Sequence, residues 1–532
     1  MDTTMAVRVA TVLFALTPAL AIASVPTAHC RSGDKVESGL QGQTTAAEIS
    51  SGAVTKGFNC NSDMVGQYQG QGASWQLTAW KNCAYFDQRL NPDEAHRGTV
   101  VVDVSDPAHP TPTTWLTEPA MLDPWESLKV NPARQLLAGG QRPDATQNFP
   151  GTGFSIYDIS ADCKNPVLKK SIIIPGSFGH SGQWAPDGKT FYITPLRTDI
   201  SIEAIDTTDA SNPKPLACGA NTAGCGANGF FTATSDIPLS QWHDLEFSKD
   251  GNTAYLTMFG SSFGTPSTAA KNGLLILDVS DFQQRKTNPA YRKTSSLTWD
   301  DGSVGAQNAL PITIKGKPYI LFSDEGGGGT CAGGRSGAGF PRLIDVSDLK
   351  NPRTVAKLQL DIQDPAYCAD ALAAPIAASG PSAFFGTFFN HSCHYCNVDD
   401  ADNATVAACS CFAAGLRFFD ISNVNAVKEI AYFKAPAQGT KSLPGSQYAM
   451  TMPATFVRNY DMTTSKPSFP KDRGMTSGDV WTTAHDNGLL IVKLSSNATA
   501  SSGGGCASAD ASVGGLLILA LAQLWRRRRA QP

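Results

Sequence analysis

One short strand-and-turn pattern occurs seven times along the 532-residue chain, and this repetition constrains the fold more than any other feature. Six copies end an apolar run on an aspartate, as NGLLILDVSD does at 272–281, whereas NGLLIVKLSSNA at 487–498 carries a lysine. The repeated positions are Asp103, Asp158, Asp206, Asp278, Asp345, Asp420 and Lys493. Their average spacing of about 65 residues exceeds that of a helical-pair repeat and suits a four-stranded unit with loops.

Each copy predicts a β-strand followed by a turn. Asp, Ser and a following Pro or Asn-Pro are typical turn residues, and an Asp side chain there accepts hydrogen bonds from nearby backbone N–H groups. The six aspartates are therefore predicted to stabilise turns. Upstream, HSGQWAPDGKTFYITP (180–195) and HDLEFSKDGNTAYLTM (243–258) align without a gap, and each contains an Asp-Gly hairpin signal.

These units predict an all-β fold, a seven-bladed β-propeller of four-stranded antiparallel blades. The 49 glycines and 33 prolines agree with a turn-rich protein. After the seventh copy the sequence becomes rich in Ser, Asn, Thr and Gly, so the last blade lacks an outer strand. We predict that residues 63–69 supply this strand and close the ring. The propeller is expected to cover 58–495 and to follow a Ser/Thr-rich linker at 24–57.

The two ends of the chain indicate export. Residues 1–23 have the pattern of a secretory signal peptide, with Arg8, an apolar stretch and Ala21-Ile22-Ala23. At the other end, a Gly/Ser/Ala-rich spacer at 496–512 contains Cys506, and 513–529 combines a short hydrophobic helix with four arginines. The arginines are expected on the cytoplasmic side of a membrane. Lipidation at Cys30 is a weaker alternative, because no apolar residue stands three positions before it.

Cysteine usage favours disulfides. Besides Cys506 there are twelve cysteines, an even number in a chain with an export signal. Cys218 and Cys225 are expected to close one loop. The set Cys393, Cys396, Cys409 and Cys411 lies symmetrically about a turn at 399–403, which favours the pairs Cys396–Cys409 and Cys393–Cys411. Zinc binding by this set is the alternative, and the oxidising compartment weighs against it.

The charge of the chain argues against a polyanionic partner. The net charge is −4, and removal of the two ends makes it more negative, because they hold five arginines and only two acids. Nucleic acid and anionic membrane surfaces are therefore not expected as main partners.

Two parts of the chain resemble known protein families. GLLILDVSD and GTVVVDVSDP resemble LVIVD-repeat proteins, and HYCNVDDADNATVAACSCFAAGLRFFDISN (394–423) resembles a longer signature of bacterial secreted members. This resemblance, over roughly 60–495, implies an extracytoplasmic propeller but no particular activity. The Gly-Cys motif, short helix and Arg cluster at the end resemble a MYXO-CTERM sorting domain. That resemblance implies that Cys506 is the processing or lipid-attachment point.

Side chains at equivalent positions of the inner strands are the candidates for chemistry. His180 and His243 occupy the same place in their blades. Counting back from the inner hairpins puts Glu126, Asn308 and, less securely, Ser74 at equivalent positions, and His394 lies near the start of the sixth inner strand. Three histidines and Glu126 around one axis can form a transition-metal site. The alternative is a wet channel whose polar groups bind water and backbone.

The sequence favours a non-enzymatic surface propeller that binds an unknown protein or glycan through its loops. The alternative is a metal-dependent extracytoplasmic enzyme, oxidase-like or hydrolase-like, with Glu126, His180, His243 and His394 as ligands. No Gly-x-Ser-x-Gly or His-Glu-x-x-His motif occurs in the sequence.

Overall fold

The fold is all-β, as the repeats predict. The computed structural model describes residues 24–88, 94–142, 151–175, 179–195, 202–219, 225, 229, 231, 240–260, 271–327, 331, 333–373, 389–438, 451–456, 459–461, 466–468 and 479–495. Within these residues, seven antiparallel sheets of four or five strands form the blades of a propeller. Along the chain, a separate hairpin of Asn459–Asp461 and Lys466–Ser468 follows the first strand of the last blade and precedes the second.

The strands of each blade follow one another across the sheet in chain order, except in the last two blades. Blade 1 contains Leu77–Trp80, Cys83–Asp87, Thr99–Asp103 and Thr111–Leu116, and blade 2 contains Lys129–Asn131, Leu136–Gly140, Gly151–Asp158 and Val167–Pro175. Blade 3 contains Ser181–Trp184, Thr190–Thr194, Glu203–Asp206 and Lys214–Pro215, and blade 4 contains Gln241–Phe247, Thr253–Gly260, Asn272–Asp278 and Arg292–Thr298. Blade 5 contains Ser303–Ile314, Lys317–Gly327, Arg342–Asp345 and Arg353–Lys357.

The last two blades combine strands from both ends of the propeller. Blade 6 contains Cys396–Val398, Val406–Cys411, Gly415–Asp420 and Lys428–Lys434, and Phe58–Cys60 adds a fifth strand. Blade 7 contains Thr451–Phe456, Val480–Ala484 and Gly488–Leu494, and Ser62–Tyr68 completes it. The short α-helices are Ala46–Ser50, Pro119–Leu122, Ser280–Gln283 and Cys368–Leu372, and the 3₁₀ turns are Ala53–Lys56, Glu94–His96, Asp361–Gln363 and Pro365–Tyr367.

The predicted closing strand is confirmed. Ser62–Tyr68 pairs antiparallel with Gly488–Leu494, in a register that places Asp63 opposite Lys493. The lysine that replaces the repeated aspartate therefore faces an acidic residue of the closing strand. The fifth strand of blade 6, which places Phe58 opposite Lys434, was not expected from the sequence. Together the two strands join the beginning of the propeller to its last two blades.

Apolar side chains are buried between each pair of neighbouring blades. Each of seven apolar clusters combines residues of two consecutive blades, and one of them joins Leu489 and Ile491 of blade 7 to Phe86 and Val100 of blade 1. Because both faces of every blade are covered in this way, burial of apolar surface stabilises the closed ring.

The repeated aspartates stabilise turns, as predicted. In all six, one carboxylate oxygen accepts a hydrogen bond of 2.9–3.0 Å from the backbone N–H two residues further on. The donors are Ser105, Ser160, Thr208, Ser280, Ser347 and Ser422. This accounts for the repetition of Asp by local backbone geometry.

Six disulfides cross-link the described residues. They are Cys30–Cys60, Cys83–Cys163, Cys218–Cys225, Cys331–Cys368, Cys393–Cys411 and Cys396–Cys409. Three of these are the pairs that the cysteine spacing favours, so the C-x-x-C and C-x-C sulfurs bind each other rather than zinc. Cys30 is bonded to Cys60, so its sulfur is not a free thiol for lipid attachment. This number of disulfides indicates an exported, extracellular protein.

Residues 24–57 are packed on the propeller, which corrects the expectation of a linker. Helix Ala46–Ser50 begins with a capping box between Thr45 and Glu48. The carboxylate of Glu37 accepts two hydrogen bonds from the buried guanidinium of Arg417, at 2.7 and 3.0 Å, and lies 3.4 Å from Lys434. Composition suggested a linker because the buried ion pairs that attach this segment leave no periodic pattern in the sequence.

Replacing Glu37 by glutamine is expected to destabilise the protein by about 3–5 kcal/mol, because Arg417 would keep only the buried carboxylate of Glu429 and Lys434 would lose the carboxylate that it contacts. Burial opposes ionisation of Glu37, but the two cations hold its pKa below the usual range. Asp300→Asn is the matched control. It removes an exposed pair with Arg335, which is expected to change stability by less than about 1 kcal/mol. Equal effects of the two substitutions in denaturant unfolding would contradict this account.

The predicted signal peptide (1–23), the spacer with Cys506 (496–512) and the hydrophobic segment (513–529) lie outside the described residues. Among the helices that are described, none has the length and apolar character required to span a membrane.

Candidate metal centre

Five buried side chains, one from each of blades 2 to 6, converge where the inner strands meet. The first group is Glu126, His180 and His243. Nε2 of His180 lies 3.0 Å from Nε2 of His243, and Oε2 of Glu126 lies 3.4 Å from the former and 3.1 Å from the latter. The second group is Glu126, Glu325 and His394. Nε2 of His394 lies 3.0 Å from Oε1 of Glu126 and 3.3 Å from Oε2 of Glu325. Within each group all ligand atoms lie within 4.8 Å of one another.

The structure thus brings together all four residues that the sequence analysis named. Glu126 precedes the first strand of blade 2, and its backbone N–H donates to the carbonyl of His180 in blade 3. The residue before it, Trp125, has φ +48°, a left-handed conformation that is uncommon for a non-glycine residue and concentrates at functional sites. Packing of the Trp125 ring against His180 and under Arg142 holds this conformation.

Irregular pairing positions His243. The register between the first two strands of blade 4 shifts between Trp242 and Leu245, so His243 and Asp244 form a β-bulge. Bulges redirect side chains and are frequent beside active sites. The hydroxyl of Thr194 donates to the carbonyl of His243, and the hydroxyl of Ser181 donates to the carboxylate of Asp244 at 2.8 Å.

Two disulfides position His394. It lies between Cys393 and Cys396, which are bonded to Cys411 and Cys409 respectively. The backbone N–H of His394 donates to the backbone carbonyl of Ser410 at 2.7 Å. The cysteine pattern that predicted a stapled hairpin therefore also marks the backbone of a candidate ligand.

Blade 5 contributes residues that the sequence analysis missed. The expected residue, Asn308, is buried but is in neither group; its neighbour Gln307 lies 2.9 Å from Nε2 of His394 instead. The register of the first two strands shifts between Ala306 and Asn308, and a count that assumes regular pairing is therefore off by one residue. Glu325 comes from the second strand of this blade. In the sequence, the feature that could have marked Glu325 is the acidic pair Asp324-Glu325 at the end of an apolar run.

Burial and mutual contact shift the pKa values of the charged side chains in the site. Burial opposes ionisation of Glu126, but the charge of His243 and hydrogen bonds with the histidines hold the pKa of Glu126 well below the usual range. Burial lowers the pKa of His180 to about 4. Against the effect of burial, hydrogen bonds with Glu126 and Glu325 raise the pKa of His394 to about 9. The charge of Glu126 likewise raises the pKa of His243.

Aromatic rings surround the two groups. Phe259 stacks on His243 with ring centroids 5.2 Å apart, and Trp75 and Phe412 contact His394 at 5.7 and 5.1 Å. Ser74, the remaining channel position expected from the sequence, is buried, and its backbone N–H donates to the backbone carbonyl of Asp87. These rings limit the access of water and restrict the imidazoles, and electrostatic interactions between the ligands are stronger as a result.

The ligand atoms have the spacing of a metal coordination shell. Metal–nitrogen and metal–oxygen bonds of about 2.0–2.2 Å place neighbouring ligand atoms of a tetrahedral or octahedral ion about 3.0–3.5 Å apart. The first group, with separations of 3.0, 3.1 and 3.4 Å, fits one face of such a polyhedron. Two imidazoles and one carboxylate are a recurrent ligand set of catalytic zinc and of non-haem iron.

Comparisons with known proteins agree with the repeat but name no activity for this chain. The LVIVD repeat family matches residues 95–113, the first copy of the pattern. No curated protein matches the sequence. Similar solved structures include a candidate 6-phosphogluconolactonase from Bacteroides fragilis (10% identity, 81% of this chain and 98% of that one, TM-score 0.40).

Two further structures are comparable. One is the Cps50 (Swd1) beta-propeller domain of Myceliophteria thermophila (9% identity, 81% of this chain and 99% of that one, TM-score 0.46). The other is a protein from Lactobacillus plantarum (11% identity, 79% of this chain and 98% of that one, TM-score 0.41). The strand pairing of this chain itself defines the propeller.

Proposed function

We propose that this protein is an exported metal-binding propeller whose channel centre performs metal-dependent, hydrolase-like or oxidase-like chemistry. The fold and the disulfides support the coarser description, an extracellular binding module. The observation that carries the finer proposal is the convergence of Nε2 of His180, Nε2 of His243 and Oε2 of Glu126 within 3.0–3.4 Å of one another.

Hydrogen bonding alone is a poor account of this group. A proton on Nε2 of His243 can be donated well to only one neighbour, and it leaves Nε2 of His180 and Oε2 of Glu126, 3.4 Å apart, as two adjacent acceptors. A divalent ion satisfies all three lone pairs at once. Buried histidines and carboxylates that converge without such an ion would carry a desolvation penalty.

An open coordination position favours catalysis over a purely structural role. Structural zinc sites have four protein ligands, whereas catalytic sites have three and leave a position for water or substrate. The first group supplies three. Of its members, His180 has the most exposed side chain, at 10%, so solvent approaches the group from its side. A bound ion would polarise a substrate or lower the pKa of a bound water there.

Elemental analysis tests this proposal. The full chain, expressed with its own export signal, is expected to retain divalent transition metal after purification, and the His180→Ala/His243→Ala variant is expected to contain one ion per chain fewer. His109→Ala is the matched control, because that imidazole is 81% exposed, lies beside Asp106 and belongs to neither ligand group. Absence of metal from the natural protein, even after incubation with Zn²⁺ or Mn²⁺, would leave a metal-free binding module.

Binding of a protein or glycan through surface loops stays a prediction from the sequence. Several of the long connections where such a ligand would bind, among them 261–270, 374–388 and 439–450, lie outside the described residues.

A further inference from the structure

We propose that the channel holds two divalent transition ions bridged by the carboxylate of Glu126, and that the pair binds an oxyanion. This inference rests on the proposed metal centre and deepens it. A mononuclear centre needs only Glu126, His180 and His243, whereas the second ion requires Glu325 and His394.

The two oxygens of Glu126 contact different groups of ligands. Oε2 lies beside the Nε2 atoms of His180 and His243, at 3.4 and 3.1 Å. Oε1 lies beside Nε2 of His394, at 3.0 Å. The five side chains form two groups that share only Glu126. A carboxylate with one ligand set at each oxygen has the arrangement of a bridge in a two-metal site, where the ions are about 3.5–4 Å apart.

Crowding at His394 supports the second ion independently. Its Nε2 atom has three polar neighbours: Oε1 of Glu126 at 3.0 Å, Oε2 of Glu325 at 3.3 Å and the amide of Gln307 at 2.9 Å. A single N–H can donate well to one of them. Oε1 of Gln307 is buried without a hydrogen-bond partner, and a half-turn of the amide exchanges its nitrogen and oxygen. In that orientation the second group offers one nitrogen and three oxygens.

The two ligand sets favour different ions. Two imidazoles and one carboxylate oxygen suit zinc, copper or iron. One imidazole with carboxylate and amide oxygens is a harder set, closer to what manganese prefers. Both sets contain three or four protein atoms and leave positions for a shared exogenous ligand.

Charge balance identifies the class of that ligand. Two divalent ions carry four positive charges, and the two carboxylates of Glu126 and Glu325 neutralise two of them. Excess charge in a site whose side chains are 0–10% exposed requires a counter-ion. An oxyanion that spans both ions, as a phosphate group can, supplies charge and ligand atoms together.

Metal stoichiometry and magnetic coupling provide the test. The full chain is stripped with a chelator, reloaded with Mn²⁺, and measured by elemental analysis and by electron paramagnetic resonance. We expect two ions per chain with exchange-coupled spins. His394→Ala/Glu325→Gln and His180→Ala/His243→Ala are each expected to retain one ion and to lose the coupling. Inorganic phosphate is expected to bind the two-ion protein at least tenfold more tightly than either variant.

The outcomes separate this inference from the proposed function. One ion per natural chain, with His394→Ala/Glu325→Gln unchanged, would overturn the two-ion site and leave a mononuclear centre. No bound ion in any form would overturn both proposals. Circular dichroism and thermal unfolding of each variant show whether it is folded, and Glu325→Gln alone, which preserves side-chain shape, replaces the double variant if that one does not fold.

Discussion

Glu126→Gln is expected to lower the affinity of the channel for divalent transition ions by roughly 100-fold or more. The substitution preserves the shape of the side chain and removes the charge that faces all three histidines. Both oxygens of Glu126 lie beside ligand nitrogens, and among the described residues it is the member that the two groups share. Titration of the metal-free protein, prepared with a chelator that is then removed, with Zn²⁺ or Mn²⁺ in a calorimeter measures the effect directly.

Glu246→Gln is the matched control for this substitution. Glu246 lies three residues after His243 on the same strand and accepts a hydrogen bond of 2.7 Å from Gln183. It is in neither ligand group. Its substitution is expected to change metal affinity by less than about threefold, within ordinary context effects. Similar losses in the two variants would show that general channel charge, and not coordination by Glu126, governs binding.

The metal-free and metal-loaded proteins are expected to respond to pH in opposite directions. In the metal-free protein, ion pairing with Glu126 and Glu325 raises the pKa of His394 from about 6.5 to about 9. A raised pKa stabilises the folded state below pH 6.5, and this stabilisation is lost as pH rises through about 9. The loss for His394 is about 3 kcal/mol. Below pH 6.5 the lowered pKa of His180, about 4, acts in the opposite sense, because the unfolded chain then binds a proton that the buried imidazole does not.

With metal bound, the same histidines are ligands and carry no proton on Nε2. Affinity then increases with pH as the competing protons leave, by up to about tenfold per pH unit for each proton displaced. Denaturant unfolding between pH 6.5 and 9, with chelator and with excess Zn²⁺, checks both trends. Parallel curves would mean that the ion does not bind at His394. In Glu126→Gln, the decline of the metal-free protein above pH 6.5 should be much smaller.

Much of the architecture could be predicted from the sequence because it depends on local patterns. Apolar strands that end on Asp, with Asp-Gly hairpins between them, predicted blade number, strand number and the turn function of six aspartates. The absence of an outer strand after Lys493 predicted closure by residues 63–69. That strand is found in the expected place, since an unpaired blade edge and an unassigned amphipathic segment leave few other arrangements.

The candidate site could be predicted only in part. His180 and His243 were found because their blades have the same hairpin register. Glu126 was found by counting back from its hairpin, and His394 by its place near the start of the sixth inner strand. Gln307 and Glu325 were missed, since a bulge at 306–308 alters which side chains face the channel and Glu325 lies on a second strand. The buried attachment of 24–57 was missed because it depends on ion pairs such as Glu37 with Arg417.

The sequence by itself determined the propeller, its closure and the four residues Glu126, His180, His243 and His394, because hydrogen-bonded turns and alternating apolar residues act over short distances. Only the tertiary structure decided that these four meet within hydrogen-bonding distance, that Glu325 joins them and that Glu126 has a different ligand set at each oxygen. The physical reason is that the ligands come from blades 2 to 6. Their separation depends on how bulges, disulfides and interblade packing set the ring, and none of these distances is encoded in a local pattern.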